Sequence, residues 1–309
     1  MSVNAVSTAF FNSQSSADLR RVQAELADLQ RQVGSEHKAD DLKGYGVDST
    51  RILSAKAMIE RTDARQVAAN TLGGRLSAVD GALEGVSSAT EALRQAVLTA
   101  LGQDDGRYLT TSLQAAFDQA RTAINTDFEG ESLFGGERIS GTPVNVGTLA
   151  ALAAAPSTAS IFDEAARGKT LDLGDGAFTI GDKASTVGTG VFDAMRTLKQ
   201  LIDAGGGSLP SPLTSAQRTA LQSIATSLNT ARQDVLVAQG RNGELQNIVE
   251  AKSTALGAQS DALTKLMGDA ANADLAEVAT KLSASQVQYQ AIAQTFSTLS
   301  KLSLLDYLR

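Results

Sequence analysis

Apolar residues recur at steps of three and four near both ends of this 309-residue chain. Near the N-terminus the repeating positions are Leu19, Val22, Leu26, Leu29 and Val33. Near the C-terminus they are Leu275, Val278, Leu282, Ser285, Tyr289, Ile292, Phe296 and Leu299. Such a stripe lies on one face of a helix and is buried only against another helix. The pattern predicts a helix over residues 1–33 and a second one after residue 274, each built to pair with a partner.

The same period continues in the interior of the chain. We expect Gly34 to end the first helix and Ser49 or Thr50 to cap the next, which begins at Arg51. A tight repeat follows at Leu72, Leu76, Val79, Leu83, Val86, Thr90, Leu93 and Val97. After a turn at 102–108, a helix is predicted from about Leu109 to Asp127. A helix from Ser215 to Met267 would extend roughly 80 Å, which is long for a single globular domain.

Residues 128–212 lack this period and contain many glycines. The segment LDLGDGAFTIGD predicts a small β-hairpin, residues 191–204 predict a short amphipathic helix, and GGGSLPSPL is typical of a linker. We therefore predict a mainly α fold: a long antiparallel helical bundle or coiled-coil stalk with both termini at one end and a small α+β or β-rich head. The predicted domains are a terminal assembly domain (1–45 and 270–309), a helical stalk (46–128 and 213–269) and a variable head (129–212).

Composition narrows the class of protein further. Aromatic residues make up 4% of the chain, which has no Trp and no Cys, so disulfides and thiolate chemistry are excluded. The net charge of −7 argues against nucleic acid or an anionic membrane as a partner. The sequence has no run of 18 apolar residues, so we expect no membrane insertion. The N-terminus lacks a basic segment followed by an apolar one, so we expect no cleaved signal peptide.

Candidate catalytic and metal-binding groups are few. His37 is the single histidine, so neither a histidine-based triad nor a multi-histidine metal site can form. Asp172, Asp175 and Asp182 surround glycines, but their spacing is not that of a calcium loop and favours a turn. The adjacent Asp40 and Asp41 resemble a carboxylate pair, but adjacent residues rarely share one pocket, so we expect no catalytic role for them. We expect no enzymatic activity, no cofactor and no metal.

With this layout, the chain resembles the flagellin superfamily over nearly its whole length. The segment QVGSEHKADDLKGYGVDSTRIL is similar to the passage from terminal helix to stalk in that family. The family has a Gly-basic-Asp-Asp pattern there, and this chain has the same residue types more widely spaced, as Gly34, Lys38, Asp40 and Asp41. The segment DLAEVATKLSASQVQYQAIAQTFS at 274–297 resembles the family's C-terminal helix and is the most specific match.

Two segments resemble the hook–filament junction branch, the family of flagellar hook-associated protein 3. GESLFGGERISGTPV at 130–144 is similar to the turn-rich segment that opens the head of junction proteins. The ending SKLSLLDYLR resembles their leucine-rich tail. The alternative is a flagellin subunit of the filament itself, and a secreted coiled-coil effector is a more distant rival.

The resemblance implies a structural subunit of the bacterial flagellum, exported unfolded through the flagellar type III apparatus and located outside the cell. It implies self-association in a ring or tube, contacts with other axial proteins (a hook-associated protein and flagellin), and a cytosolic export chaperone on the C-terminal helix. We expect the terminal stripes to lack a partner in the isolated chain. The expected assembly interface comprises Leu19, Val22, Leu26, Leu29, Val33, Leu275, Val278, Leu282, Tyr289, Ile292, Phe296, Leu299 and Leu305.

Overall fold

The computed structural model describes residues 2–138, 140–172, 177–180 and 182–307, and it describes the side chains of residues 10, 13–138, 140–170, 180 and 182–298. Its described part is mainly α, as predicted. The helices are α1 (Ser2–Ser35), α2 (Ser49–Gln103), α3 (Leu109–Ile124), α4 (Leu149–Ala154), α5 (Ala184–Ala204), α6 (Ser215–Ala271) and α7 (Leu275–Tyr307). Short 3₁₀ turns lie at Gly46–Asp48 and Thr158–Ile161.

The chain forms two compact units. The first contains Met1–Thr62 and Gln259–Arg309, and the second contains Asp63–Ala258. Both boundaries fall inside long helices, so α2 and α6 each contribute residues to both units. The three-part division into terminal domain, stalk and head stays a prediction.

In the first unit, the end of α1 differs from the expectation. The helix continues through Gly34 to Ser35, and Glu36 adopts the left-handed conformation with φ 61°. Gly34 therefore does not provide the left-handed residue that commonly ends a helix. The α7 helix begins with a side-chain cap, since Asp274 Oδ1 accepts hydrogen bonds from the N–H groups of Ala276 (3.0 Å) and Glu277 (3.2 Å).

In the second unit, α2, α3, α5 and α6 share one apolar core. The predicted repeat on α2 from Leu72 to Val97 is buried throughout. On α6, the residues that recur at steps of three and four from Leu221 to Asn242 form a second stripe, which is also buried. The start of α6 carries a capping box, because the Thr214 N–H donates to Gln217 Oε1 (2.9 Å) and the Gln217 N–H donates to Thr214 Oγ1 (3.2 Å).

Aromatic side chains contribute more to this core than their scarcity suggested. Phe117 and Phe192 are fully buried and meet edge to face with ring centroids 6.0 Å apart. Phe162 meets Phe192 at the same distance. Edge-to-face pairs stabilise a core by about 0.5–1.5 kcal/mol beyond their area. These three aromatic side chains thus meet where α3, α5 and the irregular segment pack together.

Two small antiparallel hairpins lie in the irregular segment. One joins β3 (Lys169–Asp172) to β4 (Ala177–Ile180) and confirms the predicted hairpin. The other joins β1 (Asp127–Phe128) to β2 (Glu131–Ser132) and was not predicted, because its strands have only two residues each. The predicted helix at 191–204 is longer than expected and begins at Ala184.

The turn at Phe134, Gly135 and Gly136 requires glycine at its last position. Gly136 has φ 66°, and a Cβ atom there would lie 2.4 Å from the Arg167 carbonyl oxygen. That oxygen accepts a hydrogen bond from the Glu137 N–H (3.1 Å). The backbones are therefore too close for any side chain at position 136.

An ion-pair cluster links α2 to α6 across the second unit. Hydrogen bonds donated by the Arg94 guanidinium and the Gln95 amide lower the pKa of the Glu91 carboxyl to about 2. Arg232 of α6 lies 3.6 Å from the same carboxylate. Glu91 therefore remains charged over the ordinary pH range and orients its three partners.

Candidate assembly interface

The two terminal helices pair with each other in antiparallel orientation. The Ala273 N–H donates to the Glu36 carbonyl (2.8 Å), where α1 has just ended and α7 is about to begin. Further along, Gln23 Nε2 donates to Tyr289 Oη (3.3 Å). The expectation that these stripes lack a partner in the isolated chain is therefore wrong, because each terminal helix supplies an apolar face to the other.

The expected interface residues differ in how far this pairing covers them. The buried ones are Val22, Leu29 and Val278. The half-buried ones are Leu19, Leu26, Leu282, Tyr289, Ile292 and Phe296. Val33 and Leu275 are both 44% exposed. The side chains of Leu299 and Leu305 lie outside the described residues.

Apolar surface therefore remains on the paired helices. Phe10 of α1 is 70% exposed and Val287 of α7 is 66% exposed, in addition to Val33 and Leu275. One helix can cover only one side of its partner's apolar face, so a two-helix pair leaves part of each stripe open.

The connection between the terminal pair and the rest of the first unit is a short backbone ladder. The Lys38 N–H donates to the Ala271 carbonyl (2.9 Å), and His37 and Asn272 form an isolated antiparallel bridge. The Lys38 ammonium also donates to the carbonyls of Ala270 (3.0 Å) and Asp269 (3.3 Å). The last carbonyl groups of α6 have no hydrogen-bond donor within the helix, and the Lys38 ammonium supplies one. Its positive charge also interacts favourably with the negative end of the helix dipole.

Arg31 holds the loop after α1 in place. Its guanidinium donates to Asp28 (2.6 Å), to Asp40 (2.9 Å) and to the Lys38 carbonyl (3.2 Å). The bond from Arg31 lowers the pKa of the Asp28 carboxyl, and the Asp28 bond in turn raises the pKa of Arg31. Asp41 Oδ1 accepts from the Gly44 N–H (2.8 Å). The Lys-Asp-Asp residues of the family-like pattern thus position this loop.

Sequence reasoning missed part of the buried surface of this unit. Ile52 and Ala55 of α2 are buried, and Ala39 and Ala270 are buried beside the ladder. The signal was available on α2, because the heptad positions of Leu72 and Leu76 extend backwards through Ala69 and Thr62 to Ala55 and Ile52. Ala270 continues the three-four spacing of Leu263 and Leu266 on α6. Ala39 lies in the loop after α1, so its burial depends on the loop geometry.

Of the candidate catalytic groups, the structure describes the side chains of His37, Asp40, Asp41 and Asp182. His37 is exposed, and Asp182 forms an ion pair with Arg241 at 3.4 Å. The side chains of Asp172 and Asp175 lie outside the described residues. Among the described side chains, no group of three His, Cys, Asp or Glu residues is placed to hold a metal. The described helices include none long and apolar enough to cross a membrane.

Comparison with solved structures finds the same fold in flagellar proteins. A protein from Vibrio parahaemolyticus described as a flagellar hook-associated protein is similar, with a TM-score of 0.59 and 17% identity over 74% of this chain and 98% of its own. Bacillus cereus FlgL is similar with a TM-score of 0.50 and 15% identity over 66% of this chain and 98% of its own. Neither models of known families nor curated protein sequences gave a match. The family-like pattern in the sequence thus corresponds to a shared fold: this chain is folded like flagellar hook-associated proteins of known structure.

Proposed function

We propose that this chain is a structural subunit of the bacterial flagellum, which joins hook to filament by tube assembly of its terminal helices. The observation that carries the proposal is the α1–α7 pair, which buries Val22, Leu29 and Val278 but leaves apolar side chains exposed on both helices. The fold shared with hook-associated proteins supports the same conclusion. A pair with an open apolar face is suited to packing beside identical pairs in a closed ring or tube.

The proposed partners follow from this role. The chain would associate with itself, with another hook-associated protein on the hook side and with flagellin on the filament side. It would act outside the cell, after export without a cleaved signal peptide. The expected interface is the set of terminal positions named above, with Val33, Leu275 and the half-buried positions contacting neighbouring subunits.

Deletion of the gene in its own organism tests the junction role against that of a filament flagellin. A junction protein is needed before any filament can grow, so we expect cells with hooks but no filaments and with flagellin released into the medium. Electron microscopy of the hooks and immunoblotting of the medium measure both results. Filaments that persist would contradict the junction role. Hooks that carry a separate junction protein, with no flagellin in the medium, would also contradict it, because they indicate the loss of a filament flagellin.

We further propose that a small helical chaperone covers α7 in the cytosol. The exposed Leu275 and Val287 and the half-buried Leu282 and Ile292 would otherwise allow premature association, and an amphipathic helix fits a hydrophobic groove. Co-purification from native cytosol should recover the chaperone with the full chain but not with a chain ending at Asn272. A chain lacking residues 1–33 is the control and should retain it. Equal recovery with the chain ending at Asn272 would place the chaperone site elsewhere.

A further inference from the structure

The pairing of α2 with α6 in the second unit is interrupted by a polar layer. Asn242 is 4% exposed, and its Nδ2 donates to the Leu76 carbonyl oxygen at 2.9 Å. Gln246, one helical turn later, donates its Nε2 to the same oxygen at 3.1 Å. Two side-chain amides of α6 are thus attached to a single backbone carbonyl of α2.

This layer separates two groups of buried apolar residues. The larger cluster reaches Val79 on α2 and Ala238 on α6. The smaller cluster consists of Ala69, Leu72, Leu76, Ile180, Val249 and Leu256. Asn242 occupies the seam position between Ala238 of the larger cluster and Leu245, which packs against the smaller one. An apolar side chain at this position would join the two clusters.

The seam beside the smaller cluster is also polar. Gln66 Nε2 donates to Asn70 Oδ1 (3.2 Å) and to Ser253 Oγ, and Ser253 Oγ donates to Asn70 Oδ1 (3.3 Å). Among the described residues, the buried atoms Gln66 Oε1 and Asn242 Oδ1 have no hydrogen-bond partner. A buried polar atom without a partner weakens the local packing.

We propose that the Asn242 layer divides the α2–α6 pairing into two cooperative segments, so that the smaller cluster opens while the larger one stays folded. Apolar contact transmits cooperativity because losing one buried side chain exposes its neighbours. The amide layer carries no such contact. The segment around the smaller cluster can therefore adjust its packing at low cost, in the manner of subglobal opening units in other proteins.

Hydrogen exchange on the full chain, followed by mass spectrometry of peptides, tests this proposal. Peptides covering 66–76 and 245–256 should exchange at least about tenfold faster than those covering 83–97 and 221–238. A single common rate in all four would overturn the proposal. The substitution Asn242→Leu should join the clusters and bring the four rates to within about threefold of one another. An unchanged difference in this variant would also overturn it.

Asn242→Ala is the matched variant, because it removes the amide without bridging the clusters. It should speed exchange at 66–76 and 245–256 and leave 83–97 and 221–238 at their wild-type rates. Acceleration of all four segments by the same factor would show one cooperative unit and contradict the proposal. This comparison, together with the wild-type rates, still decides the question if Asn242→Leu does not fold.

Discussion

Replacing Val235 with Asp is expected to unfold the second unit at temperatures where the wild-type chain is stable. Val235 is fully buried on α6, in the same cluster as Leu83 and Val86 of α2. The carboxylate would be desolvated without a partner, which costs several kcal/mol in addition to the lost apolar burial. We expect the free energy of unfolding to fall by about 4 kcal/mol or more and the melting temperature to fall by about 10 °C. Thermal unfolding followed by circular dichroism measures both.

Val237→Asp is the matched control for this prediction. Val237 lies two residues later on the same helix and is 53% exposed, so the new carboxylate would stay hydrated. Its effect on stability should stay within about 0.5 kcal/mol. Equal loss of stability in the two variants would mean that helix propensity, and not burial in the α2–α6 seam, determines the stability of α6.

Leu275→Asp is expected to abolish incorporation into the flagellum while leaving the isolated chain folded. Leu275 is 44% exposed at the first residue of α7. An acidic residue in the first turn of a helix is favourable, since it complements the helix dipole. In an assembled tube the same charge would be desolvated between subunits, which costs several kcal/mol at every repeated contact. Melting temperature of the purified chain and motility of the complemented deletion strain are the two measurements.

Val278→Asp separates the two roles of the terminal helices. Val278 is 5% exposed within the α1–α7 pair, so its substitution should weaken the first unit in the isolated chain as well as assembly. Local loss of structure is measured by faster hydrogen exchange in α1 and α7.

Normal motility with Leu275→Asp would show that this side chain lies outside the assembly contacts. Unchanged exchange with Val278→Asp would show that the terminal pair is not held by its seam.

Much of the helical architecture follows from the sequence alone. The heptad spacing on α2 and α6 identifies the buried positions from Leu72 to Val97 and from Leu221 to Asn242, because an apolar residue every three or four positions can be buried only on one helix face. The hairpin at 169–180 and the cap at Thr214 are also encoded locally. Local hydrogen bonding and a two-residue period specify them without distant contacts.

The tertiary structure alone decided which surfaces cover one another. Periodicity shows that a stripe needs a partner but does not identify it, so the pairing of α1 with α7 and the remaining exposure of Leu275 could not be deduced from the stripes. The left-handed Glu36 in place of Gly34, and the ladder from Glu36 to Lys38 against Ala271 to Ala273, depend on backbone groups that are 233 to 237 residues apart in sequence. The sequence determined which faces are apolar, whereas the folded chain determined how much of each face stays exposed.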